Sequence, residues 1–446
     1  MKVGILDWAA LCVALQGCGG CQPEQPTGPA EAARPSVVVV AAPPAPLPVP
    51  EVREEDRPTG LLDPLALQLR APGAALETAC TAAPCTHPLA AFFAALELQA
   101  QKVRVVVLGN SLIATDGVVG VVRARLIERA GDGGRGQVLA DRLGSWGPRV
   151  RTGYAQGKWK LSSIGILTPL ERPHGLSGAQ HEAVSRGAST RYALEGETLA
   201  EILWTSTRPN AQLAVEVDGQ RVSAFEPLPD GRVQRTAVTL PATAKLLRLV
   251  FDEPGAVVQG VVLERAGSGV VLDTFGVPSA DASLFLRTDE TLFVDQLRAR
   301  SPALVMVMLG GNEVKRIAWG RSDLEIIEKD LRALLARIRV AAPDASCLVV
   351  SPIDSVQGPT ARSPFAQRPQ LAGYLELQRR VALEEQCAWF DLFNAMGGPG
   401  SIKRFKARGL IHPDLVHPRG QGLDLLGELI SAALLRAYDG RSADAK

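Results

Sequence analysis

The segment "VVVLGNSLIATDG" (residues 105–117) places a serine directly after an uninterrupted apolar run. Such a run predicts a strand that is buried on both faces, which is typical of a parallel sheet. Ser111 follows at the predicted turn from this strand into a helix. A serine at that place is either the N-cap of the helix or an exposed nucleophile, and the rest of the chain has to decide between the two.

The alternation of strand and helix recurs after residue 300. The segment "ALVMVMLGG" (303–311) predicts a second buried strand, and an amphipathic helix follows at 322–343. Apolar runs at 346–353 and 387–393 continue the strands, and "GLDLLGELISAALLRAY" (422–438) predicts a closing helix. This pattern predicts a doubly wound α/β layer, with functional loops at the carboxyl ends of the strands.

Residues 165–268 break this alternation. They consist of short alternating runs separated by Gly, Pro and Asp-Gly, which is typical of an antiparallel β-sandwich. We therefore predict a β-sandwich at 165–268, inserted between the two parts of an α/β domain at 61–164 and 269–446. Trp204 in this region is either a sugar-stacking residue or a core residue, and the small number of aromatic residues favours the core.

The N-terminal segment, residues 1–21, has one basic residue, a short apolar stretch and then small residues before Cys18 and Cys21. It resembles a lipoprotein signal with Cys18 as the lipidated residue, and a plain secretory signal is the alternative. Residues 22–60 are rich in Pro and Ala and predict an extended linker. We expect an exported protein: periplasmic, on the outer membrane as a lipoprotein, or extracellular, with membrane contact only through the anchor.

The remaining cysteines give two further expectations. Cys80 and Cys85, in "TACTAAPC", bracket a short turn and are spaced to close a local disulfide in an oxidising compartment. Cys347 and Cys387 lie in apolar strand-like runs, where buried free thiols are the default interpretation.

The composition limits the class of partner. The 446 residues include 48 Lys plus Arg and 47 Asp plus Glu, without a basic run, so nothing indicates a nucleic acid as partner. Hydrophobic residues make up 46% of the chain, which is enough for a large core. The composition thus favours a globular protein with a neutral or small partner.

Four polar segments fall at or near predicted strand ends: "GNS" (109–111), "DTFGVPSA" (273–280), "GGNE" (310–313) and "DLVH" (414–417). The Asp-x-x-His spacing puts a carboxylate and an imidazole within one turn, so that the acid can orient the ring and stabilise its charged form. A serine needs such a base to become a nucleophile.

Charge on a tetrahedral oxygen would need hydrogen-bond donors at the same place. The Asn312 amide, the backbone N–H of Ser111 and a backbone N–H from the 276–279 turn are the candidates. The alternative that His412, Asp414 and His417 bind a metal is weaker, because no further ligand is indicated nearby.

In this order the four segments resemble the blocks of the SGNH (GDSL-like) hydrolases, namely GDS, a turn glycine, GxND and DxxH. The resemblance covers about 61–446, and the insertion is similar to the carbohydrate-module-like sandwich of peptidoglycan O-acetylesterases. It implies a three-layer, flavodoxin-like parallel sheet with an inserted antiparallel β-sandwich. By the same resemblance the site residues are Ser111 as nucleophile, His417 as general base, Asp414 as its orienting acid, and Asn312 with the backbone of Ser111 and of Ser279 or Gly276 around the oxyanion.

The sequence departs from the family blocks at three positions. Asn110 replaces the aspartate of the first block, and Leu112 stands where the subfamily often has a histidine. Ser279 aligns best with the turn glycine, which leaves Gly276 three residues upstream.

The function that this resemblance implies is a serine esterase that removes O-acetyl groups from a cell-envelope or extracellular glycan through an acyl-enzyme. Neither a metal nor an organic cofactor is required. Two alternatives stay open: a glycan O-acetyltransferase with the same triad, and a glycan-binding protein whose active site has decayed.

Overall fold

The computed structural model describes residues 37–39, 76–79, 86–144, 147–148, 151–165 and 169–444. The predicted signal segment with Cys18, the Cys80 and Cys85 pair, and the predicted linker apart from 37–39 lie outside these residues. No helix among the described residues has both the length and the apolar character that crossing a membrane requires.

The strands follow one another along the chain with these bounds: β1 Val37–Val39, β2 Lys102–Gly109, β3 Gly136–Val138, β4 Tyr154–Gln156, β5 Trp159–Ser163, β6 Ala179–Ala183, β7 Ala188–Ala193, β8 Leu199–Ser206, β9 Leu213–Val217, β10 Gln220–Phe225, β11 Gln234–Thr239, β12 Leu246–Phe251, β13 Ala256–Glu264, β14 Gly269–Gly276, β15 Leu304–Met308, β16 Ser346–Val350 and β17 Ala388–Phe390.

The helices have these bounds: α1 Ala90–Leu98, α2 Ser111–Ala114, α3 Gly117–Ala130, α4 Ala282–Phe285, α5 Glu290–Arg300, α6 Gly311–Ala318, α7 Leu324–Ala341, α8 Gln370–Glu384, α9 Leu392–Ala395, α10 Ser401–Ala407 and α11 Gln421–Asp444.

A parallel sheet of order β14-β2-β15-β16-β17 forms the α/β layer. In β2, Val105 and Val107 pack into one core with α1, α3 and α11, while Val106 and Leu108 pack into a second core with α5, α7 and α8. All four side chains are fully buried. The apolar run therefore forms the predicted strand with both faces covered, and the α/β architecture is confirmed.

The register of this sheet brings three predicted segments to one edge. Gly109 at the end of β2 pairs with Gly276 at the end of β14 and with Met308 at the end of β15. Because the strands are parallel, the chain leaves all three strands on the same side. The segments that contain Ser111, Ser279 and Asn312 begin there.

Two antiparallel sheets form the β-rich part of the fold. One has the order β1-β11-β8-β13-β6-β5, with β3 also paired to β13, and the other has the order β10-β9-β12-β7-β4. A separate hydrophobic core lies between them and includes Tyr192, Trp204 and Phe251. Antiparallel sheets outside the parallel layer confirm the predicted fold class.

The predicted start of the insertion, residue 165, was wrong. The antiparallel sheets already include β3, β4 and β5, which begin at Gly136 and end at Ser163. These strands have three to five residues and mix Gly, Gln, Lys and Ser with apolar residues, so they show no alternating run. In addition, Val37–Val39 within the predicted linker pairs in parallel with β11.

Trp204 is a core residue, as the composition favoured, and the sugar-stacking alternative is excluded. Its side chain is fully buried, and its indole Nε1 donates to Thr236 Oγ1 at 2.9 Å. The ring centroid lies 6.2 Å from that of Phe251. The buried hydrogen bond satisfies the one polar atom of the indole.

Cys347 and Cys387 form a disulfide, so the expectation of two free thiols was wrong. Leu348 in β16 pairs with Ala388 in β17, and this register places the two preceding cysteines opposite each other. Their Cα atoms are 4.6 Å apart, within the range that a disulfide spans. The bond therefore joins the last two strands of the parallel sheet.

The disulfide closes a loop with a sequence separation of 40 residues. A loop of this length predicts that the double variant Cys347→Ala/Cys387→Ala loses about 4 kcal/mol of unfolding free energy, since its unfolded chain gains freedom. Guanidinium unfolding of both proteins, with and without reductant, measures the difference. Reductant should destabilise the parent protein more than the double variant, and equal stability of the two oxidised proteins would contradict the prediction.

Candidate active site

The turn after β2 determines the position of Ser111. Asn110 is the N-cap of α2: its backbone is extended, and its Oδ1 accepts from the backbone N–H of Leu112 at 3.0 Å. A Cβ atom on Gly109 would lie 2.2 Å from Ile113 Cγ1, so only glycine fits before the cap. Ser111 is the first residue of the helix, and its hydroxyl is free from the capping role that the sequence left open.

Ser111, His417 and Asp414 form a continuous line of hydrogen bonds. Ser111 Oγ lies 2.9 Å from His417 Nε2, and His417 Nδ1 lies 2.7 Å from Asp414 Oδ2. Because a carboxylate only accepts, Nδ1 carries the ring proton and Nε2 is left to accept from the serine hydroxyl. The structure thus brings together the three side chains that the sequence predicted as nucleophile, base and orienting acid.

The Asp414 carboxylate is held in its charged form. Burial alone would raise its pKa, but hydrogen bonds from the His417 ring and from the backbone N–H groups of Val416 and His417 bring the pKa below its ordinary value. The backbone bonds to Asp414 Oδ1 measure 2.9 and 3.1 Å. The carboxylate therefore stays an acceptor at neutral pH and fixes the imidazole.

The chain reverses tightly around these residues just before α11. The His412 N–H donates to the His417 carbonyl at 2.8 Å, and the Leu415 N–H donates to the His412 carbonyl at 3.1 Å. Leu415 has a φ of 59°, in the left-handed region that non-glycine residues adopt at a cost of about 1–3 kcal/mol. Its buried side chain packs with the first core, which helps to hold this strained turn in place.

Asn312 is positioned by α6 and by the turn that precedes it. Its Nδ2 donates to the carbonyl of Ala280 at 2.8 Å, so one amide hydrogen is used and the second stays available. Glu313 Oε2 accepts from the Gly310 N–H at 2.8 Å and fixes the start of α6. Burial, with a smaller effect from Asp281, raises the pKa of Glu313 to about 8.

The turn after β14 places Ser279 in a glycine-like conformation. The Ala280 N–H donates to the Val277 carbonyl at 3.0 Å, with Pro278 and Ser279 between them. Ser279 has a φ of 64°, which matches the third position of a type II turn, where glycine is preferred. The serine therefore adopts the torsion that the family's turn glycine would supply, and the turn is formed.

Gly276, the other residue predicted for the oxyanion turn, packs against α2. A Cβ atom on it would lie 2.1 Å from the Ala114 backbone nitrogen, so this glycine permits close packing of β14 against α2. Neither cavity that reaches Ser111 among the described residues is lined by Gly276. Of the predicted oxyanion residues, Ser279, Asn312 and Ser111 itself thus line a cavity that reaches the serine.

Two cavities meet at Ser111. A small one of about 60 Å³ lies towards the sheet, with largely apolar walls that include Leu112, Met308 and Ile353. A cleft of about 890 Å³ opens on the other side and extends to Glu195 and Arg265 at the ends of the antiparallel strands. The lining residues common to both are Ser111, Asn312, Lys315 and His417.

Lys315 is the residue of this set that the sequence analysis missed. It follows Asn312 by three residues on α6, so both lie on one face of the helix.

The geometry does not support the alternative of a metal site: the described residues contain no group of three or more His, Cys, Asp or Glu side chains arranged to hold an ion. Both ring nitrogens of His417 already contact Ser111 and Asp414.

Comparison with known proteins agrees with this geometry. Residues 251–424 match the GDSL-like lipase/acylhydrolase family, a range that contains Asn312, Asp414 and His417 but not Ser111. Comparison with curated protein sequences finds no match. The predicted resemblance to the GDSL-like (SGNH) hydrolases is thus confirmed over residues 251–424.

A solved structure is similar in fold over most of the chain, and others match a smaller part of it. A peptidoglycan O-acetylesterase is 20% identical with a TM-score of 0.69, and the alignment covers 82% of this chain and 99% of that one. A GDSL-like lipase from Parabacteroides merdae is 19% identical with a TM-score of 0.31, covering 38% and 74% of the two chains. An acetylxylan esterase from Geobacillus stearothermophilus is 17% identical with a TM-score of 0.27, covering 38% and 73%.

The capping role of Asn110 predicts the effect of restoring the family's aspartate. In Asn110→Asp the carboxylate accepts from the Leu112 N–H with charge assistance, so we expect esterase turnover equal to or higher than that of the parent protein. Asn110→Ala, the matched control, removes the acceptor and should cost about 1 kcal/mol of stability with reduced turnover. Initial rates on an aryl acetate measure both, and a tenfold loss in Asn110→Asp would contradict the role.

Proposed function

We propose that this GDSL-like serine hydrolase removes O-acetyl groups from a glycan of the cell envelope or the extracellular space through an acyl-enzyme. The observation that carries the proposal is the line of contacts from Ser111 Oγ to His417 and on to Asp414, at 2.9 and 2.7 Å. This line supplies a nucleophile, a base and an orienting acid, which acyl transfer requires. It opens into a cleft that can receive a substrate.

Acylation begins when His417 Nε2 takes the proton of Ser111 and Oγ attacks the ester carbonyl carbon. The carbonyl oxygen becomes negatively charged, and the free amide hydrogen of Asn312 and backbone N–H groups at Ser111 and Ser279 are the available donors. When the bond to the sugar oxygen breaks, that oxygen takes the proton from His417. The sugar leaves with a free hydroxyl, and the acetyl group stays on Ser111.

Deacylation repeats these steps with water. His417 Nε2 takes a proton from water, the hydroxide attacks the acetyl carbonyl, and the second tetrahedral intermediate releases acetate as Ser111 regains its proton. Asp414 remains charged and holds Nδ1 in both halves of the cycle. A sugar hydroxyl in place of water would transfer the acetyl group instead.

The small cavity supports acetyl as the acyl group. Its volume of about 60 Å³, against about 890 Å³ for the large cleft, accommodates a methyl group. Its walls are largely apolar, and Ser111 is one of the residues that line it. An acetyl ester held with its methyl group in this cavity would present its alcohol to the larger cleft.

The large cleft supports a carbohydrate as the alcohol. At about 890 Å³ it lies near the upper end of the range for ligand sites, and polar and charged side chains line much of it. A solved structure of similar fold over most of the chain is that of a peptidoglycan O-acetylesterase. O-acetylated peptidoglycan is therefore the first polymer to test.

The proposed location is outside the cytoplasm. The signal-like segment with Cys18 supports export and lipid anchoring, and the Cys347–Cys387 disulfide supports an oxidising compartment. Membrane fractionation of the full chain and of Cys18→Ala tests the anchor, since loss of lipidation would move the protein to the soluble fraction.

The triad predicts a non-additive loss of activity. Ser111→Ala and His417→Ala should each reduce turnover by about 10⁴-fold or more, and the double variant should be little worse, since the two side chains act as a unit. Acetate release from O-acetylated peptidoglycan and from an aryl acetate, with and without an acceptor sugar, measures hydrolysis and transfer. The exposed Ser363→Ala is the matched control.

Additive losses in the double variant would count against a shared mechanism. Turnover that survives in Ser111→Ala would remove the serine from the chemistry. If neither substrate is cleaved and a serine-directed phosphonate leaves Ser111 unlabelled, the binding-protein alternative replaces the esterase.

A further inference from the structure

Lys315 lies where the two cavities meet. Four described residues line both cavities: Ser111, Asn312, Lys315 and His417. An ester with its acyl group in the small cavity and its alcohol in the large cleft has its carbonyl carbon at this junction. The proposed chemistry already uses three of these residues, and Lys315 has no part in it.

The ammonium group of Lys315 has no close counter-ion among the described residues. Burial chiefly lowers its pKa, Arg368 lowers it further by repulsion, and Asp414 raises it by attraction. No salt bridge or hydrogen bond joins it to either neighbour in the described part of the chain. A partly buried positive charge is thus held near the triad without a bonded partner, so it is available to pair with a negative charge that forms there.

Several other cations of the large cleft differ from Lys315 in this respect. Three of its arginines form salt bridges with carboxylates that also line the cleft: Arg123 with Asp116, Arg135 with Glu197 and Arg265 with Asp132. Their charges are already compensated. Lys315 is therefore the better candidate for a charge that appears only during the reaction.

We propose that the Lys315 ammonium group stabilises the negative charge of the tetrahedral intermediates formed at Ser111. As the Ser111 Oγ–carbon bond forms, the carbonyl π electrons move to the oxygen, and they return when the bond to the sugar oxygen breaks. Lys315 stays protonated throughout and transfers no proton. Asn312, one helical turn away, donates a hydrogen bond to the same oxygen, and Lys315 adds a full positive charge.

This inference rests on the proposed serine chemistry and predicts a selective kinetic effect. Lys315→Met keeps the length of the side chain but removes the charge, so kcat on a small aryl acetate should fall about tenfold while KM changes less than twofold. Lys315→Arg keeps a positive charge and should recover part of the loss. Lys329→Met, an exposed lysine on α7, is the matched control and should leave both constants unchanged.

A second readout uses a small alkylboronic acid, which binds a serine as a tetrahedral anion without turnover. Lys315→Met should weaken its inhibition or calorimetric binding about tenfold, with partial recovery in Lys315→Arg. A merely structural lysine would change folding stability and would not single out the tetrahedral anion. Thermal unfolding of each variant separates the two effects.

The results distinguish the proposed role of Lys315 from the proposed acetylesterase activity. If Lys315→Met has normal kcat and normal boronate binding, the role of Lys315 is overturned and the esterase proposal is unaffected. The same conclusion holds if Lys315→Met changes only KM, and only for acidic glycans. Boronate binding that depends on Lys315, without acetate release by the parent protein, supports the lysine's role at the serine and overturns the acetylesterase. Failure of the parent protein to bind boronate and to release acetate overturns both.

Discussion

The hydrogen bond between Ser111 Oγ and His417 Nε2 joins segments that are 306 residues apart in sequence, and the site depends on it. One partner is fixed by the carboxyl end of β2, where Gly109 allows a close turn and Asn110 caps α2. The other is fixed by the strained reversal before α11, which packs against α3. The parallel sheet therefore holds the proposed nucleophile and base in contact before any substrate arrives, which reduces the reorganisation that the reaction needs.

Apart from β1, the strands of the two antiparallel sheets lie between Ser111 and His417 in sequence, yet the two side chains remain in contact. The strands from Gly136 to Glu264 leave the α/β layer after α3, and the chain returns in β14, directly beside β2. The match to the GDSL-like family begins only at residue 251 and so omits the serine block. The structure shows how the serine block joins the matched region: the register of β14 and β2 places the turn that contains Ser111 beside the turn that contains Ser279.

The fold class, the resemblance to the GDSL-like hydrolases and the three side chains that the structure brings together could be predicted because they have local signals. A fully apolar strand such as Val105–Leu108 is visible in the sequence, and Asp414 and His417 are close enough to form one unit. The Cys347–Cys387 bond could not be predicted, since it follows from the register of β16 and β17. The short strands before residue 165 could not be predicted because they lack an alternating apolar pattern. Lys315 could not be predicted because its place at the junction of two cavities follows only from the three-dimensional structure.

The central claim is that Ser111 becomes covalently acetylated during turnover. Mass spectrometry of the enzyme, quenched in acid soon after mixing with an aryl acetate and then digested, tests it directly. The account predicts one added acetyl group on the peptide that contains Ser111, and none on that peptide in Ser111→Ala. Continued acetate release with no acetylated Ser111 at any quench time, including in a variant slowed at His417, would contradict the account.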